Sequence, residues 1–397
     1  MHLDYTPEQH SLREELRKYF AELLTDDVKA ELGHPGEGSP LFRRLVRQMG
    51  VDGWLGIGWP EEYGGQGRSP MEQFIFFDEV QRAGAPFPFV TLSTVGPTIM
   101  AFGTEEQKAR FLPGILAGEI NFAIGYTEPG AGTDLASLRT RAVRDGEEYV
   151  VNGNKVFTSG ANQADYIWLA VRTDPDAPKH KGISILAVPT SSQGFSWSPI
   201  VTVGSIVTTA TYYADVRVPT SALIGQENEG WRMITNQLNH ERVGLAALGG
   251  LAHRLVDEVT DWARARPGVA EGERLIDVAW VQMSLARVRA RMEAMKLLNW
   301  RMASRLDKGE LGAADSSAVK VYGTECLTEV YHLLLEILGP VGYLREGSPG
   351  AALHGHVEQA ARAAQINTFG GGVNEVQREI VATTGLGMAR QARQAPK

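Results

Sequence analysis

Three short segments of this sequence carry residues that could do chemistry. The first covers residues 126–134, which read Tyr-Thr-Glu-Pro-Gly-Ala-Gly-Thr-Asp, and its glycines leave room for backbone N–H groups to approach a ligand. It differs from the dinucleotide-binding pattern G-x-G-x-x-G, since Leu135 takes the place of the third glycine, and from a P-loop, since no Gly-Lys-Ser/Thr is present. These residues alone fit either a ligand-binding loop or an ordinary turn between domains.

The second segment contains Glu241, early in a region of helical periodicity. Leu238, Leu245 and Leu248 mark the apolar face of this predicted helix. A carboxyl group between that face and a domain junction could sit in a water-poor pocket, where its pKa is raised and it suits a general base. The alternative is a solvated glutamate beside Arg242, which the spacing alone favours.

The third segment is the run Gly370-Gly371-Gly372, which separates two segments of helical character. Consecutive glycines cost backbone entropy, so the run indicates a close ligand approach or a required positive φ. A glycine-rich helix C-terminus is the alternative explanation.

Other chemistries lack the residues they need. His354 and His356 alternate without a third ligand nearby, so we predict no metal site. No G-x-S-x-G elbow of a serine hydrolase is present. Cys326, the only cysteine, is predicted to be a small core residue, and a chain that cannot form an internal disulfide fits a reducing, cytoplasmic setting.

Length and composition are those of a globular protein with two or three domains. The chain has 397 residues, of which 43% are hydrophobic and 22% charged, which argues against disorder. With 39 Lys and Arg against 47 Asp and Glu, the net charge of −8 opposes binding to nucleic acid or an anionic membrane. No stretch approaches the ~20 apolar residues of a membrane span, and the N-terminus does not resemble a signal peptide.

The residue pattern changes twice along the chain, which predicts three domains. Residues 1–120 have helical periodicity, residues 121–228 contain β-rich runs separated by turn residues, and residues 229–397 return to helical periodicity. We therefore predict an α+β fold with an N-terminal helical domain, a middle antiparallel β domain and a C-terminal helical bundle.

Local signals place several helices. Thr6 is predicted to cap the first helix, and Thr104 with Gln107 is predicted to form a capping box. Two buried stripes follow from spacings of three and four residues: Leu12, Leu16, Phe20 and Leu23 in the first helix, and Val278, Val281, Leu285, Val288, Met292 and Met295 in the bundle.

Strand signals fill the middle region. β-forming residues flank Asn152-Gly153, a pattern that predicts a hairpin turn at this dipeptide. Further strands are predicted over residues 166–173, 183–188 and 211–218, with a loop at residues 174–182.

Taken together, these segments resemble the acyl-CoA dehydrogenase family over nearly the whole chain. The matching stretches, in order along the chain, are residues 58–67, 103–119, 126–134, 152–159, 225–242 and 370–378. The resemblance implies a helical domain, a β domain and a four-helix bundle, with FAD held between the β domain and the bundle. It also implies α,β-dehydrogenation of an acyl-CoA thioester.

The resemblance assigns the catalytic roles. In many family members the base stands at the position that matches Gly371, where this chain has no carboxylate. In the isovaleryl-type and sterol-type branches the acid lies on the first bundle helix, which here carries Glu241, so Glu241 is the expected base. The backbone amide of Gly371 is then expected to donate to the thioester carbonyl.

The resemblance also implies the cofactor contacts. Tyr126 and Thr127 are expected at the flavin ring, and Gly132 and Thr133 at its ribityl-phosphate side. Ser159 is expected near the flavin N5, with Phe157 packed on the ring where tryptophan is common. Asn374 and Glu375 fall among the family's polar cofactor contacts, although Glu375 stands where a neutral amide is usual.

Two stretches depart from the family pattern. Residues 264–268 and 336–340 correspond to family stretches that complete the FAD site of a neighbouring subunit. Here Glu336 brings negative charge toward a diphosphate, and Pro340 removes an amide donor. The departure predicts an α2β2 hetero-oligomer, in which a related acyl-CoA dehydrogenase subunit supplies the missing contacts.

The likeness is strongest to the bacterial sterol side-chain dehydrogenases, especially over residues 126–185. It implies a steroid side-chain CoA thioester as substrate and an electron-transferring flavoprotein as electron acceptor. Two alternatives stay open at this point: a non-catalytic partner subunit of such a complex, and an acyl-CoA oxidase.

Overall fold

The computed structural model describes residues 4–32, 39–245 and 249–389, with the side chains of all of these except residues 238–245. Its contacts cluster into two compact units. The first comprises Met1–Phe76 and Ala83–Gly244, and the second comprises Phe77–Arg82 and Leu245–Lys397. The predicted domain boundaries near residues 120 and 228 stay predictions.

The chain begins with helices, which lie in the first unit except for residues Phe77–Arg82 of the fourth helix, which belong to the second. Their bounds are α1 Pro7–Leu23, α2 Asp26–Leu32, α3 Pro40–Val51, α4 Pro70–Ala83, α5 Gly96–Phe102 and α6 Glu105–Leu116. Both predicted caps are confirmed: Thr6 forms a capping box with Gln9, and Thr104 forms one with Gln107. In the first stripe, Leu24 is buried and Leu23 is only partly buried, because the chain leaves the helix at this point.

A sheet of eight strands follows in the first unit. The strands are β1 Phe122–Gly125, β2 Arg141–Asp145, β3 Glu148–Lys155, β4 Tyr166–Arg172, β5 Ile183–Pro189, β6 Phe195–Val201, β7 Val207–Pro219 and β8 Leu223–Ile224. Their order is β6-β7-β3-β2-β4-β5-β8, and β1 pairs with β4. Most pairs are antiparallel, as expected, but β1 and β2 each meet β4 in parallel, so the sheet is mixed.

The hairpin turn predicted at Asn152-Gly153 is wrong, because this dipeptide lies inside β3. The turn that joins β2 to β3 lies instead at residues 146–147, where Gly146 has a positive φ of 63°. A bulge between Val151 and Gly153 accommodates the dipeptide in the strand. The Asn152 amide exchanges two hydrogen bonds with Asp215 across β7, at 2.9 and 3.0 Å, so long-range pairing overrides the local turn preference.

The second unit is a helical bundle. Its helices are α8 Gly249–Arg264, α9 Ala279–Asp307, α10 Ala313–Leu338, α11 His356–Ala364 and α12 Asn374–Ile380, and α7 Gly230–Leu245 leads into it from the first unit. The predicted bundle stripe is confirmed along α9, where Val281, Val288, Met292 and Met295 are buried. Leu285 and Val278 pack against the same core at partial exposure.

Cys326 lies in the core of this bundle, on α10, as predicted. Its side chain is 2% exposed, and burial raises the pKa of its thiol to about 11. The thiol is therefore protonated at neutral pH and inert while the bundle is closed. Within the described ranges, the helices include none that is long and apolar enough to cross a bilayer.

Candidate active site

The segment at residues 126–134 forms a tight turn directly after β1. The backbone groups of Glu128 and Ala131 exchange two hydrogen bonds of 3.0 Å, which close the turn. A side chain added at Gly130 would meet nothing within 4 Å, and one at Gly132 would meet only the Thr127 methyl group at 4.0 Å. The exposed side of the turn is therefore open backbone that a ligand can approach closely.

A buried ion pair fixes the position of this turn. The Lys155 ammonium, at the end of β3, donates to a Glu128 carboxylate oxygen at 2.8 Å and to the Tyr126 carbonyl at 3.0 Å. The Glu128 carboxylate also accepts the backbone N–H groups of Arg139 and Thr140, at 2.7 and 2.8 Å. One ammonium thus ties the last strand residues of β3 to the first residues of the turn.

The surroundings shift the pKa of both partners. Burial lowers the pKa of Lys155 to about 8, against the raising effect of Glu128. Burial alone would raise the pKa of the Glu128 carboxyl, but the Lys155 ammonium and the Thr140 amide outweigh it, so the pKa lies below its ordinary value. The Glu128 carboxylate is therefore ionised at neutral pH.

An exposed aromatic ring stands beside the turn. The Val156 N–H donates to the Thr127 carbonyl at 2.8 Å, which holds the following residue, Phe157, next to the turn. Phe157 has a positive φ of 59°, unusual for a residue with a side chain, and its side chain is 60% exposed. Two residues later, the Ser159 hydroxyl lies 2.9 Å from the Thr208 hydroxyl.

These contacts bring together some of the predicted site residues of the first unit. Backbone bonds join Thr127 to the strand end that carries Phe157, and Gly132 lies against the Thr127 side chain. Thr133 and Ser159 are exposed hydroxyl residues at the turn and after β3. An exposed ring, exposed hydroxyl residues and accessible backbone together suit a flat, polar-edged ligand.

The hydroxyl of Tyr126 points to a residue that the sequence did not single out. It accepts from the indole N–H of Trp168 at 3.1 Å and is hydrogen-bonded to the amide oxygen of Gln237 on α7. Gln237 is 1% exposed, and its Nε2 has no acceptor among the described side chains. This amide lies one helical turn before Glu241.

Glu241, the expected base, lies within α7, as the periodicity predicts. Its side chain lies outside the described residues, so its role stays a prediction.

In the second unit, the glycine run joins two helical segments, as predicted. Gly371 and Gly372 have positive φ angles of 65° and 102°. The φ of Gly372 is one that residues with a side chain rarely adopt, and a side chain there would also come within 2.5 Å of the Gln377 amide nitrogen, so the position favours glycine. Gly371 is half-buried, which leaves its backbone accessible at the loop surface.

A buried lysine holds this loop in place. The Lys320 ammonium on α10, 4% exposed, donates to the Thr368 carbonyl at 3.1 Å and to the Gly372 carbonyl at 2.6 Å. It also donates to the Asn374 amide oxygen at 2.7 Å. Lys320 thus binds both ends of the loop that contains Gly371, a role that no local sequence pattern predicts.

Asn374 and Glu375 differ in their surroundings. The Asn374 side chain is buried, and besides Lys320 it donates to Thr324 and Glu325 at 3.1 and 3.2 Å. Glu375 is exposed at the start of α12. The structure therefore gives the Asn374 side chain an internal role, and the cofactor contacts expected of both residues stay predictions.

Comparison with known proteins identifies the family. Models of the N-terminal, middle and C-terminal domains of acyl-CoA dehydrogenase match residues 6–119, 123–216 and 228–386. The acyl-CoA dehydrogenase FadE26 of Mycobacterium tuberculosis is 55% identical over 99% of this chain and 100% of its own length. The chain belongs to the acyl-CoA dehydrogenase family. The fold expected from the resemblance is confirmed, and so is the enzyme class.

Solved structures are similar over the full length. One, described as the Tcur3481-Tcur3483 steroid ACAD, is 60% identical with a TM-score of 0.93, and covers 98% of this chain and 100% of that one. Another, the ChsE4-ChsE5 complex from Mycobacterium tuberculosis, is 54% identical with a TM-score of 0.92 and covers the same shares.

The cofactor of this family is FAD, and the residues present fit it. The exposed Phe157 ring offers a face for a flat ring system, and the turn at residues 126–134 offers open backbone for polar groups. The acyl-CoA dehydrogenase is therefore an FAD-dependent oxidoreductase that acts on a CH–CH bond of an acyl-CoA.

Proposed function

We propose that this enzyme dehydrogenates a steroid side-chain CoA thioester between its α and β carbons, with Glu241 as the base. One observation carries the proposal: a backbone hydrogen bond holds the exposed Phe157 beside the turn at residues 126–134. The ring and the turn together form a surface suited to a flavin ring. The fixed Gly371 loop supports it by offering a backbone donor for the thioester carbonyl.

The residues of this chain divide the chemistry between them. The Glu241 carboxylate takes the proton from the α carbon, and the Gly371 N–H donates to the thioester oxygen, where negative charge develops. FAD, when bound, supplies the acceptor for the hydride that leaves the β carbon. Lys320 keeps the Gly371 loop fixed, so that its donor needs no rearrangement as charge develops.

We assign the cofactor contacts as the resemblance implies them. The flavin ring is held by Tyr126, Thr127 and Phe157, with the Ser159 hydroxyl near its N5. Gly132 and Thr133 bind the ribityl-phosphate side through open backbone and a hydroxyl group. Glu375 and the backbone of Asn374 complete the polar contacts.

Replacing the base tests the mechanism. Glu241→Gln should retain FAD and lose flavin reduction by substrate at least 100-fold, since general base catalysis contributes about 10²- to 10⁴-fold. Glu229→Gln, an exposed glutamate at the start of the same helical region, is the control. Flavin reduction at the wild-type rate in Glu241→Gln would show that Glu241 is not the base but a solvated residue of the helix.

The substrate class comes from relatives of high identity. The Tcur3481-Tcur3483 structure is described as a steroid ACAD, at 60% identity. We propose a steroid thioester with a shortened side chain as substrate, and test it by comparing kcat/KM for steroid-CoA and short linear acyl-CoA thioesters. A preference for the linear thioesters would reject the steroid assignment.

We further propose that the working enzyme is an α2β2 hetero-oligomer with a related acyl-CoA dehydrogenase subunit. The two similar structures, the ChsE4-ChsE5 complex and the Tcur3481-Tcur3483 steroid ACAD, are each described by two protein names. In this chain Glu336 and Pro340 are exposed at the end of α10, where an acidic group and a missing N–H suit a neighbour's diphosphate poorly.

A visible absorption spectrum tests the shared cofactor site. Flavin bands are expected after co-expression with the related subunit and not in the chain expressed alone. A stable, FAD-loaded homo-oligomer of this chain would overturn the assignment. We also propose that an electron-transferring flavoprotein accepts the electrons. The single cysteine favours a cytoplasmic location.

A further inference from the structure

Two hydroxyl groups meet where the chain turns after β3. The Thr208 hydroxyl, on β7, lies 2.9 Å from the Ser159 hydroxyl, a distance at which one of them donates to the other. The two side chains differ in their access to water, because Thr208 is 2% exposed whereas Ser159 is an exposed residue. In the described part of the chain, the Thr208 hydroxyl makes no hydrogen bond other than this one.

Burial decides which hydroxyl group donates. A hydroxyl has one proton to give and two lone pairs that accept. If Ser159 donated, the Thr208 proton would be left buried without an acceptor, a loss that native structures rarely tolerate. If Thr208 donates, the bond uses the buried proton, and the Ser159 proton stays on the exposed side, where a ligand can accept it. Only the second arrangement satisfies both groups.

Backbone bonds hold the two hydroxyl groups together. The Thr158 N–H donates to the Thr209 carbonyl at 2.9 Å, and the Thr209 hydroxyl donates to the Thr158 carbonyl at 2.5 Å. Thr158 and Thr209 are both fully buried. These bonds tie the residue before Ser159 to the residue after Thr208, so the separation of the two hydroxyl groups is fixed by the sheet.

We propose that Thr208 is a positioning residue for Ser159: it donates to the Ser159 oxygen and thereby turns the Ser159 proton toward the flavin N5. This inference rests on the proposed function, in which the Ser159 hydroxyl lies near N5. The N5 of oxidised flavin carries a lone pair and no hydrogen, so it can accept that proton in a hydrogen bond. A donor whose orientation is set beforehand loses less freedom on binding, which strengthens the bond that it makes.

Three variants separate the contributions of the two hydroxyl groups. Thr208→Val removes the hydroxyl and keeps the branched shape, Thr208→Ser keeps the hydroxyl, and Ser159→Ala removes the proton that should reach N5. Thr211→Val is the matched control, because Thr211 is a fully buried threonine of the same strand. Its hydroxyl lies near those of Thr158 and Tyr213 instead of Ser159.

The readout is cofactor binding rather than turnover. 5-Deaza-FAD has a C–H group in place of N5, so it has the shape of FAD but cannot accept the Ser159 proton. Titration of the FAD-free complex of this chain with its related subunit gives Kd for FAD and for 5-deaza-FAD. The ratio of the two Kd values, compared between variants, reports the hydrogen bond to N5.

The preference for FAD over 5-deaza-FAD should depend on both hydroxyl groups. We expect this preference to fall about 3- to 10-fold in Ser159→Ala, since one hydrogen bond of ordinary strength is lost. Thr208→Val should lose most of the same preference, because the Ser159 proton can then turn toward solvent. Thr208→Ser and Thr211→Val should keep the wild-type preference. Kd for 5-deaza-FAD should change by about twofold at most in every variant, which would exclude a folding defect.

Other outcomes overturn the inference. A wild-type preference for FAD in Thr208→Val would show that Ser159 orients its proton without Thr208. An equal loss of affinity for both cofactors would assign Thr208 to the packing of the site, and so would an equal loss of preference in Thr211→Val. Ser159→Ala distinguishes these failures from that of the proposed function: if its preference matches wild type, Ser159 does not lie at N5.

Discussion

Single residues carry charge deep inside both units of this enzyme. The Lys155–Glu128 pair is a clear example of buried charge, since both side chains are at most 9% exposed. Because Lys155 also donates to the Tyr126 carbonyl, this pair connects stability to the shape of the turn at residues 126–134.

Lys155→Met tests that connection. The substitution leaves the Glu128 carboxylate buried without its ammonium partner, which should lower the free energy of unfolding by about 3–5 kcal/mol. Adding Glu128→Gln removes the stranded charge, so the double variant should be more stable than Lys155→Met alone. Denaturant unfolding of the FAD-free proteins measures both, and a double variant that is less stable than the single one would contradict the prediction.

His253 predicts how the bundle responds to acid. Burial lowers the pKa of its imidazole to about 4, with Arg82 acting in the same direction. The other charged neighbours are Glu293, Asp257 and Arg289. The unfolded chain therefore binds more protons than the folded one between pH 4 and 6.5, so the contribution of His253 to stability falls as the pH drops through this window.

His253→Gln should remove this component. Across the window, the wild type should lose about 3 kcal/mol more stability than the variant. Unfolding midpoints measured from pH 7.5 to 4 test this, with His180→Gln, which lies in the other unit, as the control. Parallel curves for wild type and His253→Gln would show that the imidazole does not titrate as predicted.

At the scale of elements, what could be predicted from the sequence depends on how far apart the partners lie. The capping boxes at Thr6 and Thr104 involve residues three positions apart, and both were predictable. The Asn152-Gly153 turn was mispredicted because its partner, Asp215, lies 63 residues away. Lys155 and Glu128 are 27 residues apart, although a lysine among β-forming residues was a signal that could have indicated a buried charge.

The loop that contains Gly371 shows the same limit. The glycine run was recognisable, but its support by Lys320 comes from α10, 48 to 54 residues earlier in the chain. The resemblance predicts Glu241 as the base, which stays a prediction, whereas the bond between Gln237 and the Tyr126 hydroxyl joins residues 111 positions apart and no local pattern predicts it.

Lys320→Met tests the support of the glycine loop. It strips the donor from two backbone carbonyls and from Asn374, which should cost about 3 kcal/mol of stability. It should also lower kcat more than it raises KM, because the role proposed for the Gly371 N–H is to donate where negative charge develops. Lys308→Met, an exposed lysine beyond α9, is the control. Wild-type kcat in Lys320→Met would show that the loop holds its shape without the lysine.

At the scale of the whole molecule, the departures from the family pattern predict dependence on a partner. Glu336→Gln combined with Pro340→Gly restores the usual residue types at the end of α10. We expect the double variant, expressed alone, to retain several-fold more FAD than wild type, because a repulsive charge is removed and an amide donor returns. The flavin-to-protein absorbance ratio measures this.

The control for this experiment is Glu310→Gln, which removes an exposed glutamate elsewhere in the bundle. FAD content that stays at the wild-type level in the double variant would place the cause of partner dependence in other residues.

The buried thiol of Cys326 can be used to measure how often the bundle opens. Because it is the only thiol in the chain, a colour-forming thiol reagent can react at no other place. Its burial and raised pKa mean that the reaction must wait for the bundle to open. The labelling rate, divided by that of a free thiol, therefore gives the equilibrium for opening this unit without any introduced label. Measured with and without FAD or the partner subunit, the labelling rate of Cys326 would show by how much each of them lowers the fraction of open bundle.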